Sequence, residues 1–115
     1  MQDFRNLDVW KRAHKLVLAV YRATQGMPKE EIFGVTMQMR RTSTAIAARI
    51  ADGSGRDSDA EFAVELRRGL AACHEVEYFI LLAKDLGYLK PEMHDILSAE
   101  TVEVRKMIYG LLRKL

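Results

Sequence analysis

The chain has 115 residues, of which 49% are apolar and 30% are charged, and its formal net charge at pH 7 is +2. This composition excludes a disordered chain, and the length predicts a single domain over residues 1–115 with a substantial core. Cys73 is the only cysteine, which excludes an intramolecular disulfide and a cysteine-based zinc site. No segment has the pattern of a secretory signal or of a membrane helix, so we expect a soluble, cytoplasmic protein.

Apolar residues at helical spacing predict a first helix from about Val9 to Thr24. This segment contains no acidic residue and four basic ones, Lys11, Arg12, Lys15 and Arg22. They form either an ordinary solvated face or a basic surface that binds a polyanion. Residues 28–34 then predict a short helical turn with acidic residues near its N-terminal end, where the helix dipole favours them.

The second predicted helix, from about Val35 to Asp52, has two distinct faces. One face carries the residues expected to enter the core, Val35, Met39, Ser43, Ile46 and Ile50. The opposite face carries small residues that would allow another copy of the chain to approach closely, Thr44, Ala47, Ala48 and Ala51. Gly53 is expected to end the helix as its C′ residue.

The third predicted helix begins at a capping box formed by Ser58 and Glu61 and ends at Gly87. It has apolar residues away from its main stripe, namely Val64, Ala71, Tyr78 and Leu82. The fourth helix starts near Pro91 and reaches the C-terminus, and no segment shows strand-like alternation.

Four helices with short links predict an all-α fold, most simply an antiparallel up-down-up-down four-helix bundle. In a monomer, the second apolar face of the third helix would remain in contact with water, which favours a homo-oligomer. The candidate interface residues are Thr44, Ala47, Ala48, Ala51 and Tyr78.

The sequence offers little for metal or acid–base chemistry. The residues three positions before the histidines are Lys11, Ala71 and Pro91, whereas a di-iron bundle has glutamate there. Glu77 lies about 20° from Leu66 around the third helix, and is either a catalytic carboxylate or a polar clamp paired with Arg40, Arg49 or Tyr21. No second acid or nucleophile accompanies it, so we expect the clamp, no enzymatic activity, no metal and no cofactor.

Two further features could involve phosphate. The Gly-Ser-Gly link at residues 53–55 lacks the Gly-Lys-Ser/Thr of a P-loop, and Asp57 and Asp59 would repel an anion, so a plain turn is favoured. Arginine pairs contact either nucleic-acid phosphates or another subunit. The candidate nucleic-acid-binding residues are Lys11, Arg12, Lys15, Arg40, Arg41 and Arg49.

Several motifs together resemble a known family. Residues 4–13 follow F-x-x-L-x-V-W-x-x-A, residues 28–41 follow P-x-E-E-x-F-G-[LV]-T-x-Q-[LM]-R-R, and residues 86–89 follow L-G-Y-[IL]. These motifs extend over nearly the whole chain and resemble the four-helix-bundle family named for 23S rRNA intervening sequences. Two departures stand within the family's S-I-x-x-N-I-A-E-G segment, because Arg49 replaces the usual Asn and Asp52 replaces the usual Glu.

The resemblance implies an antiparallel four-helix bundle assembled as a ring-like homopentamer, in a bacterial family whose biochemical role is not established. It also implies kinship with the accessory variability determinant of diversity-generating retroelements, which binds a reverse transcriptase and nucleic acid. We therefore expect a non-enzymatic pentamer that binds RNA or DNA through a basic surface. The alternative is a scaffold whose ring docks a protein partner, such as a reverse transcriptase, without nucleic-acid contact.

Overall fold

The computed structural model describes residues 2–115, and most of them lie in four long helices. The helices are α1 (Asp8–Thr24), α2 (Val35–Ser54), α3 (Asp59–Asp85) and α4 (Pro91–Leu112). Two short 3-10 turns, Phe4–Asn6 and Lys29–Glu31, precede α1 and α2. The part of the chain that the structure describes contains no strand, which confirms the predicted all-α class with four helices.

The Ser58 cap and the Gly87 stop predicted at the two ends of α3 are confirmed, whereas the reciprocal bond of the capping box, from the Ser58 N–H to the Glu61 carboxylate, is not formed. The Ser58 hydroxyl accepts a hydrogen bond of 3.1 Å from the backbone N–H of Glu61, as an N-cap should. At the other end Gly87 has a φ of 81°, a conformation that glycine adopts without steric penalty. The N–H groups of Gly87 and Tyr88 donate to the carbonyls of Lys84 and Ala83, which terminates the helix in a Schellman motif.

The predicted end of α2 was wrong, because Gly53 lies inside the helix and Ser54 is its last residue. Gly53 is buried, and a Cβ there would lie 2.7 Å from Cδ1 of Phe62 and 3.0 Å from Cβ of Glu65. Glycine is therefore required at this position because α3 approaches closely, and not because the chain turns there. The final turn of α2 instead passes into the link at Gly55.

The core lies between the four helices. Contacts join α1 to α2, α2 to α3, α3 to α4 and α4 to α1, and the contact between α2 and α3 is the most extensive. The predicted core face of α2 is confirmed, since all five of its residues are buried. Cys73 is also fully buried, and this burial raises the pKa of its thiol to about 12. Within residues 2–115, no helix has both the length and the apolar character needed to cross a membrane.

Candidate functional site

The outer face of α2 borders a groove of about 760 Å³, here called the α2 groove. Tyr21 of α1 and the segment before α2 complete its walls. Its apolar lining consists of Ile32, Phe33, Met37, Ala45 and Ala48, and its cationic lining of Arg40, Arg41 and Arg49. The side chain of Phe33 is the most exposed large apolar group among the described residues, at 79%. The groove is therefore an open apolar surface edged by arginines.

The structure places the candidate interface residues in different surroundings, some exposed and others buried. Thr44 and Ala48 are exposed and line the α2 groove, and Ala51 is half-buried beside it. Ala47 is buried in the core of its own chain, so the outer surface of α2 is formed without it. Its assignment to the outer face was wrong. The residues of α2 that face the core cover a wider arc of the helix than the predicted stripe of apolar residues. Tyr78 is 56% exposed on the outer side of α3, with its ring 5.3 Å from that of Phe79.

Two arginines of the α2 groove already have partners within the chain. Arg40 donates from Nε to the hydroxyl of Thr24 at 2.8 Å, and its guanidinium lies 4.7 Å from the ring centroid of Tyr21. Arg41 donates to the amide oxygen of Gln38 at 2.8 Å and lies 3.8 Å from a carboxylate oxygen of Glu75. These contacts hold Arg40 against α1, and they hold Arg41 between α2 and α3.

Arg49 forms part of a buried ion cluster that the sequence did not reveal. Glu65 on α3 is only 3% exposed, and its carboxylate accepts a hydrogen bond of 3.4 Å from Nη1 of Arg49. Arg68, one turn farther along α3, donates to the other carboxylate oxygen. The arginine that replaces the family's usual Asn thus joins α2 to α3. A carboxylate this deeply buried requires such partners.

The predicted partners of Glu77 were wrong. Glu77 is half-buried, and its carboxylate lies 3.4 Å from Nε of Arg105 on α4 and 3.9 Å from Nδ1 of His74. The contact with Arg105 is within ion-pair distance, although Nε is not aligned for a hydrogen bond. The reason is that this flank of α3 packs against α4, whereas Arg40 and Arg49 belong to α2 and Tyr21 belongs to α1.

The basic residues of α1 differ in their surroundings. Arg12 makes two hydrogen bonds of 3.0 and 3.3 Å with the carboxylate of Glu100 on α4, and these hold the pKa of Glu100 below its usual value. Lys11 and Lys15 are exposed, and neither forms an ion pair with any residue from 2 to 115. The structure thus leaves two lysines of α1 available to an external anion.

Among residues 2–115, no three His, Cys, Asp or Glu side chains come close enough together to hold a metal ion. The described surface offers an apolar groove and exposed cations. These features belong to an all-α protein with four helices.

Comparison with known proteins gives the family. The family model described as 23S rRNA-intervening sequence protein matches residues 5–110, and the chain belongs to this family. The fold is similar to a crystal structure from Bacteroides thetaiotaomicron, described as a protein with unknown function from the S23 ribosomal protein family, with a TM-score of 0.81. The two are 20% identical, and the match covers 90% of this chain and 97% of that one. No curated protein matches the chain.

Proposed function

We propose that this chain is a non-enzymatic, ring-like homopentamer that binds RNA or DNA through a basic surface. The observation that carries the proposal is the exposed apolar lining of the α2 groove, above all Phe33 at 79% exposure. Apolar surface of this extent on a small helical protein marks a macromolecular contact. The arginines at its edge and the lysines of α1 supply the cations.

The subunit is proposed to be an antiparallel up-down-up-down bundle. Successive helices contact each other, α1 also contacts α4, and the links between α2 and α3 and between α3 and α4 are short. This pattern of contacts and links is typical of that topology.

The proposed assembly uses the outer faces of α2 and α3. The small side chains of Thr44 and Ala48 allow a helix from another copy to approach the α2 groove closely. On α3, exposed apolar residues with helical spacing offer a second surface, and these are Val64, Tyr78 and Leu81. Two such faces on each subunit permit the head-to-tail contacts from which a closed ring is built.

Nucleic-acid binding is supported by the cations of α1. Lys11 and Lys15 are exposed and unpaired with respect to the described residues, and lysines of this kind neutralise phosphates. The family's name refers to a sequence within 23S rRNA, which makes RNA the first ligand to test.

A second candidate is a scaffold that docks a protein, such as a reverse transcriptase, without touching nucleic acid. The observation that favours it is the engagement of Arg40 and Arg41 with partners in their own chain beside an apolar groove. Arginines next to aromatic and aliphatic surface are common in protein interfaces.

The double variant Lys11→Glu/Lys15→Glu separates these two functions, because both lysines lie on α1 outside the lining of the α2 groove. If α1 contacts phosphates, the variant should bind an RNA hairpin more weakly while the pentamer stays intact. The slope of log K against log salt should then fall in magnitude by about two, because two phosphate contacts are lost. The measurement is fluorescence anisotropy over a salt series, with light scattering to follow assembly.

The matched control is Lys106→Glu/Lys114→Glu, which changes the net charge equally at two exposed lysines near the C-terminus. A Lys11→Glu/Lys15→Glu variant that binds the hairpin as tightly as the parent chain would show that these lysines contact no phosphate, and would favour the scaffold. If the parent chain shows salt-independent affinity, or no binding at micromolar concentration, the nucleic-acid function is excluded.

A further inference from the structure

Three rings at the N-terminal end of the molecule contact one another in series, and they are here called the aromatic ladder (Phe4, Trp10 and His14). The ring centroids of Phe4 and Trp10 are 4.8 Å apart in an edge-to-face arrangement. Those of Trp10 and His14 are 4.9 Å apart with only 8° between the ring planes. Phe4 and Trp10 are half-buried, whereas His14 is exposed. Trp10 packs against the core, and His14 forms the exposed end of the ladder.

Exposed basic side chains lie along α1, next to the aromatic ladder. They are here called the α1 basic stripe (Lys11, Lys15 and Arg22), and none of the three forms an ion pair with a described residue. On a helix, residues three or four positions apart are neighbours, so Lys11 adjoins His14. Leu18 adjoins both His14 and Arg22, and it is itself exposed. The only acidic residue of α1 is Asp8, in its first turn.

Flat rings and exposed cations lie side by side along α1, and they match the base and the phosphate of an unpaired nucleotide. A base stacks on an aromatic ring whatever its identity, and the adjacent phosphate pairs with a lysine or arginine. A duplex offers the phosphates, but the faces of its bases are covered by neighbouring base pairs. Only a single strand can therefore stack a base on the aromatic ladder and place its phosphates on the neighbouring cations.

We propose that α1 binds single-stranded nucleic acid, with an unpaired base stacked on His14 at the end of the aromatic ladder and phosphates along the α1 basic stripe. This inference rests on the proposed nucleic-acid binding and deepens it by naming the ligand class. The half-buried Trp10 is a positioning residue that holds the His14 ring flat.

Trp10 provides a direct measurement, because it is the only tryptophan in the chain. The probes are a single-stranded oligoadenylate of about 12 nucleotides, within the range of single-strand site sizes, and an RNA duplex of the same length. Anisotropy of the labelled probe reports binding, and Trp10 emission reports a change at the ladder. The single strand should bind more tightly than the duplex and change the Trp10 emission, whereas the duplex should leave the emission unchanged.

Substitutions of His14 separate stacking from charge. His14→Ala should weaken binding of the single strand by about fivefold or more, since this is the usual effect of losing one stacking contact, and should leave duplex binding unchanged. His14→Phe should retain the tight binding, because it keeps a flat ring. The matched control is His74→Ala, which removes an exposed histidine from α3 and should change neither affinity.

Several results would overturn the inference. If His14→Ala weakens duplex and single strand equally, or if His14→Phe behaves as His14→Ala does, no base stacks on this ring. Salt-dependent binding with unchanged Trp10 emission and an unaffected His14→Ala variant would also reject the stacking site, while leaving the proposed nucleic-acid function in place. Failure of both probes to bind at low salt would reject both proposals. Circular dichroism of each variant checks that the helices remain.

Discussion

Replacement of both arginines that contact Glu65, in the variant Arg49→Ala/Arg68→Ala, should lower the free energy of unfolding by about 3 kcal/mol or more. The cost arises at the carboxylate and not at the arginines. Glu65 is 3% exposed, whereas the side chains of Arg49 and Arg68 are 45% and 57% exposed and are already partly hydrated. Without them, the carboxylate would lose both of its ion-pair partners at a site where water reaches it poorly. Urea unfolding followed by circular dichroism measures the change.

A third substitution tests whether the buried charge causes the loss. Adding Glu65→Gln to the double variant removes the charge while nearly keeping the side-chain volume, and should recover a large part of the lost stability. Arg67→Ala serves as the matched control, because Arg67 is exposed on the same turn of α3 and forms no ion pair with a described residue. If the double variant is as stable as the parent chain, the cluster does not stabilise the contact between α2 and α3.

The substitution Gly53→Ala should also destabilise the chain, by about 1–3 kcal/mol. In an isolated helix the same change would be favourable by about 1 kcal/mol, because alanine forms helices more readily than glycine. Here the added Cβ would lie 2.7 Å from the ring of Phe62 and 3.0 Å from Cβ of Glu65. The Cβ of Glu65 is fixed to the backbone of α3, so this contact is relieved only if α2 and α3 separate, and the Phe62 ring is buried among neighbours that restrict its movement. The midpoint of thermal or urea unfolding measures the effect.

Gly110→Ala is the matched control, because Gly110 also lies within a helix but a Cβ there meets no atom within 4 Å. This variant should be stabilised by up to about 1 kcal/mol through helix propensity alone. A loss of stability in Gly53→Ala together with a gain in Gly110→Ala would support the close approach of α2 and α3. If Gly53→Ala stabilises the chain as Gly110→Ala does, that close approach is contradicted.

The helices were predictable because their signals are local. Apolar spacing, the Ser58 cap and the glycine after α3 all act within a few residues of one another. The observed bounds of α1 and α2 differ from the predicted ones by only one or two residues. The error at Gly53 has a physical cause. A glycine near the end of a predicted helix is compatible both with a turn and with a close contact between two helices, and the sequence does not distinguish these roles.

The ion pairs were not predictable, because they depend on which flank of a helix faces which neighbour. Glu65 and Glu77 both lie beside the core stripe of α3, on opposite sides of it. Helix periodicity singles out Glu77 but not Glu65, and it does not place α2 beside one and α4 beside the other. The structure places Arg49 beside Glu65 and Arg105 beside Glu77. Arg49, the departure from the family pattern, therefore has a partner that only the tertiary structure reveals.

The aromatic ladder was hidden for a similar reason. Trp10 and His14 are four residues apart and could be paired from helix spacing alone. Phe4 lies outside α1, and only the path of the chain before the helix brings its ring against Trp10. Individual aromatic residues in a sequence more often indicate core packing than a binding platform.

The molar mass in solution tests the central proposal of assembly most directly. The subunit mass is 13.1 kDa, and size-exclusion chromatography with light scattering should give five times this value over a range of micromolar concentrations. A Phe33→Asp variant should lower the mass, because it places a charge in the α2 groove. A parent chain that elutes with a mass of 13.1 kDa at every concentration would contradict the proposed ring and the assembly role of the groove.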